Sequence, residues 1–443
     1  MKPYALTLVL ISCLFVAVAQ QPNSARLDSL LNSVAVNHKS MGSLSLSQNG
    51  KVIYQKAIGQ ASVSAGKPVL STIKTRYRIG SITKMFTAVM IFQLIQESKL
   101  GLNTTLAKFY PQLPNADKIT IGMMLNHRSG LHNFTNDPSY ATYMLKPQSH
   151  VQMLATIAAL KPEFEPDTKA VYSNANFVLL GYIAEQLTGK TYSALLKQRI
   201  ADKIGLADTY YGGKVITAND EAYSFTYTTS WTQQPETDMS VPGGAGAIVS
   251  TPTDLVKFIE ALFAGKLVDK AQLEIIKTIK DGFGMGMVRI PFYERVSYGH
   301  TGGIDGFTSL LGYFPDDKMA FAYISNGAAS TYSANDLIGG VLRIYFNKPY
   351  TIPTFKTITL SNTELDKYLG NYSSAQMPLK ITVTKKDNVL MAQATGQGAF
   401  ALDAITATQF EFKTAGIVME FSTTGDGFTL KQGGGVYKFV KDK

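Results

Sequence analysis

Apolar residues recur every three to four positions between Ser24 and Val36, where Leu27, Leu30, Leu31 and Val34 share one side. That period predicts an amphipathic helix. The rhythm then shortens to two: residues 44–48 and 52–55 alternate on either side of Asn49-Gly50, the dipeptide of a two-residue hairpin. A helical period returns behind Ser81, with Met85, Ala88, Val89, Phe92 and Ile95 on one face until Gly101 ends it. Helical patterns and long loops then dominate to about Phe263. One helix opens at Thr251-Pro252-Thr253-Asp254, with a capping threonine, proline at the first helical position and an acid in the first turn. Strand alternation resumes over residues 295–298, 307–314 and 319–325, turned by Pro315-Asp316-Asp317, and a helix near residues 334–346 follows. Strands at both ends with helices between them predict an α/β fold of the α+β kind. It would have one antiparallel sheet made by distant segments, flanked by helices, and an inserted helical region.

Residues 350–356, bracketed by Pro349 and Pro353, read as a linker. Beyond it the pattern is short alternating strands at residues 379–384, 389–394, 409–412, 417–421, 428–431 and 436–440. Turns at Asp387-Asn388, Gly396-Gln397-Gly398, Gly425-Asp426-Gly427 and Gly433-Gly434-Gly435 separate them. Evenly spaced strands without helices predict a small antiparallel β-barrel or sandwich. At the other end, Lys2, the apolar run from Leu6 to Val18 and Ala17-Val18-Ala19 form the three parts of an export signal. The expected organisation is therefore a signal peptide over 1–19, a main domain over 20–350 and a β domain over 351–443. The chain would be periplasmic or secreted, with no transmembrane span in its mature form. Leu10-Ile11-Ser12-Cys13 leaves open a lipoprotein acylated at Cys13.

Composition narrows the chemistry. Cys13 is the single cysteine, so disulfides, thiol catalysis and cysteine metal sites are not expected in the mature chain. The five histidines, His38, His127, His132, His150 and His300, show no metal-ligand spacing, and no metal or cofactor is expected. The 42 Lys and Arg against 32 Asp and Glu are dispersed rather than clustered with aromatics, so nucleic acid is not an expected partner. A mild positive field suits anionic polymers or surfaces.

One motif carries a nucleophile. Ser81-Ile82-Thr83-Lys84 places a hydroxyl and an amine one helical turn apart, so the amine can reach the serine and take its proton. Ser-x-x-Lys occurs twice more, at Ser64 to Lys67 and Ser71 to Lys74. Pro68 forbids a helix through the first, and the second lies in a β-branched run with no helix behind it. The competing reading of Ser81 is an ordinary N-cap. Two further elements accompany it: Tyr172-Ser173-Asn174, ahead of a helical stretch from about Phe177 to Leu187, and His300-Thr301-Gly302 after a short strand, trailed by Gly303. Tyr345-Phe346-Asn347 also matches Tyr-x-Asn, at the tail of a helix.

Together these three elements resemble those of the serine penicillin-recognising hydrolases: class C β-lactamases, penicillin-binding DD-peptidases, D-aminopeptidases and related esterases. Leu125-Asn126-His127-Arg128-Ser129-Gly130-Leu131, Gly243-Gly244-Ala245-Gly246 and Ser250-Thr251-Pro252-Thr253-Asp254-Leu255 look like the same branch. The resemblance spans roughly residues 24–347, and the terminal β domain looks like the lipocalin-like barrel of some D-aminopeptidase-type members. It implies an acyl-enzyme hydrolase of amides or esters, of the D-stereospecific peptidase, DD-carboxypeptidase or β-lactamase-related kind, with carboxylesterase as an alternative. Small peptides, β-lactams or esters are the implied substrates, and the barrel is a possible route to a homo-oligomer.

In that reading Ser81 attacks the carbonyl. Lys84 is either the base or the charge that lowers the pKa of Tyr172. Asn174 holds Lys84 and a substrate amide, and His300, Thr301, Gly302 and Gly303 form the opposite wall. The N–H groups of Ser81 and Gly303 would make the oxyanion hole. His300 departs from the class C β-lactamases, which carry lysine there. A histidine is only partly cationic at neutral pH, which weakens an anchor for a substrate carboxylate. An α/β-hydrolase is excluded because no Gly-x-Ser-x-Gly elbow occurs. A catalytically silent penicillin sensor and a binding protein working through its barrel are the non-enzymatic alternatives.

Overall fold

The computed structural model describes residues 22–443 except 65, 229, 356–357, 413–414 and 434. The expected export signal and Cys13 lie outside the described residues. The first helix runs Ser24–Val36, and the four leucine and valine side chains of its apolar stripe are its buried residues. Asn49 and Gly50 both have positive φ, 53° and 77°, and join strands Ser40–Gln48 and Lys51–Ile58 in the expected hairpin.

The main sheet has the order Val288–Phe292, Arg295–Ile304, Phe307–Phe314, Met319–Ala329, Ser40–Gln48, Lys51–Ile58, antiparallel throughout. The strand from the chain's start sits beside one from residue 319 onward, so the sheet closes only when distant segments meet. A short strand, Phe225–Tyr227, adds in parallel to the end of Met319–Ala329, in a region where the sequence pattern shows only loops and helices. One face of the sheet carries helices Ser24–Val36 and Ala334–Tyr345 on a core that includes Leu27, Tyr323 and Val341. The other face carries Thr83–Gln96, Asn174–Thr188 and Pro252–Phe263 on the larger core, with Phe86, Phe177 and Phe258 fully buried. Thr251 caps the last of these as expected, its hydroxyl accepting from Asp254 N with Pro252 at N1.

Residues 360–439 contribute a third, separate core built on Tyr368, Tyr372, Phe410, Phe428 and Phe439. Nine antiparallel strands form this β unit as a nearly closed barrel, the two short end strands Phe400–Ala401 and Asp403–Ala404 being adjacent in sequence. The segment before it does not behave as a free linker. Tyr350 O accepts from Arg26 at 2.6 Å, Pro353 O accepts from Ser33, and Phe355 is buried edge-on to Tyr332. Residues 350–355 are thus packed on the first helix as part of the main unit.

Candidate active site

Ser81 sits in a single 3-10 turn, Gly80–Ile82, that leads straight into helix Thr83–Gln96. Its hydroxyl caps neither element. It lies instead 3.0 Å from Lys84 Nζ and 2.7 Å from Tyr172 OH. The ordinary N-cap reading therefore fails, and the one-turn spacing does bring the amine to the serine. The other two Ser-x-x-Lys serines lie elsewhere: Ser64 ends a strand of the Gln60–Leu70 hairpin, and Ser71 follows that hairpin without a helix.

Gly80 has φ +52°, and a Cβ there would lie 2.8 Å from Gly303 N. This close approach sets the strand bearing His300 to Gly303 directly against the Ser81 turn. Gly302 serves the same contact, since its Cβ would lie 2.1 Å from Ile79 O and 2.3 Å from Ser309 Oγ. Its missing side chain makes room for the segment that leads into Ser81. Gly303 faces open space and lines the cavity with Ser81. Thr301 is exposed on the same strand.

Lys84 is fully buried, and its amine has three partners: Ser81 Oγ, Asn174 Oδ1 at 2.7 Å and Ala245 O at 2.9 Å. Burial holds its pKa well below the ordinary lysine value. A neutral amine has two hydrogens and one lone pair. In its neutral form the amine can give its hydrogens to the two carbonyl oxygens and turn its lone pair to the Ser81 hydroxyl, whereas the ammonium donates to all three. Tyr172 moves the other way: burial pushes its phenol up to about 12, with the Ser81 hydrogen bond opposing. Desolvation favours the uncharged form of both groups. Burial therefore weighs against the ammonium–phenolate pairing that the sequence reading left open.

Asn174 is the first residue of helix Asn174–Thr188, which begins three residues earlier than the sequence pattern suggests. Its Nδ2 donates to Asn133 Oδ1 (3.2 Å) and Thr135 Oγ1 (3.1 Å). Both amide hydrogens are thus engaged in orienting the oxygen that faces Lys84, although Asn174 also lines the cavity. His300 is buried, with Nδ1 2.5 Å from Thr301 O, a contact an N–H makes. Burial lowers its pKa to about 4, and Lys84 acts in the same direction. At neutral pH it carries no charge.

Several contributors went unrecognised in the sequence. Buried His127 lies against the Tyr172 ring, centroids 4.5 Å apart, while its Nδ1 accepts from Ser173 N at 3.2 Å. Its pKa is also well below the usual value, chiefly through burial. Asn133, Thr135 and the Ala245 carbonyl hold Asn174 and Lys84. Arg78 and Asp305 form an ion pair at 2.8 Å, their side chains 2% and 1% exposed, and Asp305 also accepts from Thr237 N and Oγ1. That pair ties the tip of the His300 strand to the segment just before Ser81. His127 and Ala245 lie in stretches whose family likeness was visible, but nothing in their spacing announces a hydrogen-bond role.

The cavity over Ser81 encloses about 450 Å³. Phe134, Tyr140, Met144, Ile304 and Phe307 give it apolar walls, and among the described residues no lysine or arginine lines it. Groups of three or more His, Cys, Asp or Glu able to hold a metal are absent among the described residues. No described helix is long and apolar enough to cross a membrane.

A serine–lysine–tyrosine cluster set between an antiparallel sheet and a helical region defines the penicillin-recognising class of serine hydrolase folds. The chain belongs to the beta-lactamase family, whose profile matches residues 37–342. Among curated proteins it is 25% identical to a penicillin-binding protein of Bacillus subtilis, over 96% of this chain and 100% of that one. It is also 25% identical to the teichoic acid D-alanine hydrolase of Staphylococcus aureus, over 75% and 80%. Among solved structures, the D-amino acid amidase of Ochrobactrum anthropi in complex with D-phenylalanine superposes with a TM-score of 0.65. It is 26% identical and covers 73% of this chain and 99% of its own. An octameric penicillin-binding protein homologue from Pyrococcus abyssi shares the fold over 95% of this chain and 100% of its own, at TM-score 0.66 and 24% identity.

Proposed function

We propose that this protein is an exported serine hydrolase that forms an acyl-enzyme at Ser81 and cleaves amides or esters of D-amino acids lacking a carboxylate beside the scissile bond. One observation carries the reading: Ser81 lies within hydrogen-bond reach of the Lys84 amine and the Tyr172 phenol, in a cavity lined by no lysine or arginine among the described residues. Penicillins and D-Ala-D-Ala termini bring a carboxylate into such a site, and burying it unpaired is costly. The D-stereospecificity rests on the names of the relatives, a D-amino acid amidase and a teichoic acid D-alanine hydrolase.

In this mechanism Ser81 Oγ attacks the carbonyl carbon while its proton passes to Lys84 Nζ. The N–H groups of Ser81 and Gly303 stabilise the tetrahedral oxyanion. As the intermediate collapses, the Tyr172 hydroxyl gives its proton to the departing nitrogen or oxygen and recovers one from Lys84. Water then attacks the acyl-enzyme by the same route, with the carbonyl–Oγ bond breaking and the proton returning to Ser81. Asn174 keeps the amine in place, and neutral His300 walls the site without anchoring charge. Export is part of the proposal, on the pattern of Lys2, the apolar run and Ala17-Val18-Ala19.

The test is a comparison of kcat/KM for D-amino-acid amides, D-alanyl esters, D-Ala-D-Ala peptides and nitrocefin. The D-amides and esters, which carry no carboxylate, should lead by about one to two orders of magnitude, the worth of one missing charge-assisted anchor. A D-Ala-D-Ala peptide or nitrocefin as the best substrate would overturn the assignment.

A further inference from the structure

A second concavity lies away from Ser81. It encloses about 580 Å³ where the Asn49-Gly50 turn, the Lys318 turn and the end of helix Pro252–Phe263 meet. Four lysines line it: Lys203, Lys257, Lys266 and Lys318. Its base is rigid, because Asn49 N donates to Lys318 O at 2.9 Å and Gly50 N donates to Glu260 Oε1 at 3.1 Å. Lys257 donates to Gly205 O at 2.6 Å, whereas Lys203, Lys266 and Lys318 make no side-chain hydrogen bond or ion pair among the described residues.

A bland account is available. Lysines near a helix C-terminus offset the dipole of its unpaired carbonyls, and the helix Pro252–Phe263 ends here. The magnitudes decide against it. A helix end is worth roughly half a negative charge. Glu260 adds at most one more, and burial raises its pKa. Four ammonium groups therefore leave an excess of roughly two to three positive charges in one concavity. Like charges brought together without partners repel, and an anion removes that repulsion.

We infer that this cavity is a binding site for a linear chain of phosphates, occupied independently of the chemistry at Ser81. A chain fits better than one phosphate, because the space is several times the volume of a single phosphate and its four ammonium groups come from separate elements. It fits better than an anionic bilayer, because the lysines line a hollow. Among the described residues Tyr313 is the one aromatic ring of the lining, which gives successive bases of a nucleic acid no stacking platform. The inference does not rest on the hydrolytic reading, and its test involves no turnover.

Fluorescently labelled linear polyphosphate of about ten units, titrated against the full chain and followed by anisotropy, provides the measurement. Binding should weaken with salt on a log–log slope of roughly −2 to −3, matching the number of ammonium groups engaged. Lys266→Glu should lower affinity about tenfold, and the pair Lys203→Glu with Lys266→Glu by a hundredfold or more. Lys74→Glu, an exposed charge change elsewhere, should leave it unchanged, and the melting temperatures of all variants show whether they fold. Unchanged binding in the folded double variant would overturn the inference. So would full competition by equimolar inorganic phosphate, tighter binding of a single-stranded oligonucleotide of equal charge, or binding confined to phosphatidylglycerol vesicles.

Discussion

His300 gives the sharpest quantitative consequence, because its charge state decides both a pH dependence and a substrate preference. Its folded pKa is about 4, against 6.5 for an ordinary histidine. Between those values the unfolded chain binds a proton that the folded protein refuses. Folding stability is therefore intact above pH 6.5 and falls as the pH is lowered toward 4. The shift corresponds to about 3 kcal/mol if the whole window is crossed, and His300 is buried enough for that figure to stand without a screening discount. Urea unfolding of the protein and of His300→Asn at pH 7 and pH 4.5 isolates the effect. The native protein should lose about 2 to 3 kcal/mol more than the variant over that interval. His127 acts in the same direction in both proteins and cancels to first order. The His300 ring resonance, assigned by its absence in the variant, should titrate below pH 5. Equal losses in the two proteins, or a ring that titrates above pH 5.5, would refute the reasoning and restore a partly cationic anchor at neutral pH.

Ser81→Ala should abolish labelling by a fluorophosphonate, while Ser64→Ala and Ser71→Ala keep it; a label on either of those serines, read by peptide mass, would reassign the nucleophile. Lys84→Ala and Tyr172→Phe should each lower acylation by orders of magnitude, and the double variant should be little worse than either single one, because both act on one proton; additive losses would separate their roles. Arg78→Met leaves Asp305 buried without its partner and should cost about 3 to 5 kcal/mol, detected as a lowered unfolding midpoint; a change below 1 kcal/mol would mean the pair does not brace the site. A chain ending just after Phe355 should still acylate, since the β unit has its own core and none of its described residues lines the Ser81 cavity; a folded but inactive truncation would join the two units functionally.

What the sequence disclosed follows from the range of the interactions involved. The helix over Ser24–Val36, the Asn49-Gly50 hairpin and the Thr251 cap are set by neighbours within a few residues, and each is where the pattern placed it. The strand at Arg295 is longer than its pattern, reaching Ile304, because its glycines lower strand propensity while their contact with the Ser81 turn requires them. Ser81 and Lys84 were legible because one helical turn fixes their distance. Asn174 was legible by likeness, yet its hydrogen bonds to Asn133 and Thr135 cross about forty residues of chain, and no local rule reports them. The 350–355 segment was misread for the same reason: two prolines suggest a free connection, and only the tertiary contacts with Arg26, Ser33 and Tyr332 reveal a packed strap.

The three buried nitrogen bases at this site share one property that ties geometry to substrate choice. Lys84, His127 and His300 are all driven toward their neutral forms by burial, and Tyr172 toward its phenol. Burial thus disfavours charge on these four groups, and the formal charge beside them is the Arg78–Asp305 pair, whose Asp305 lines the cavity. In the proposed mechanism the tetrahedral oxyanion and the ammonium of Lys84 form together as the proton moves. Donors fixed in a poorly hydrated site act strongly on charge that develops there, because they need no reorganisation when it appears. A substrate that arrives already carrying a carboxylate gains nothing from that arrangement. Its charge must be desolvated in the ground state, and it competes with the oxyanion for the same few N–H groups. A cavity lined by no lysine or arginine among the described residues, and burial that opposes charge on the proton-transfer groups, both fit the proposed substrate, a carbonyl on which charge develops only during the reaction.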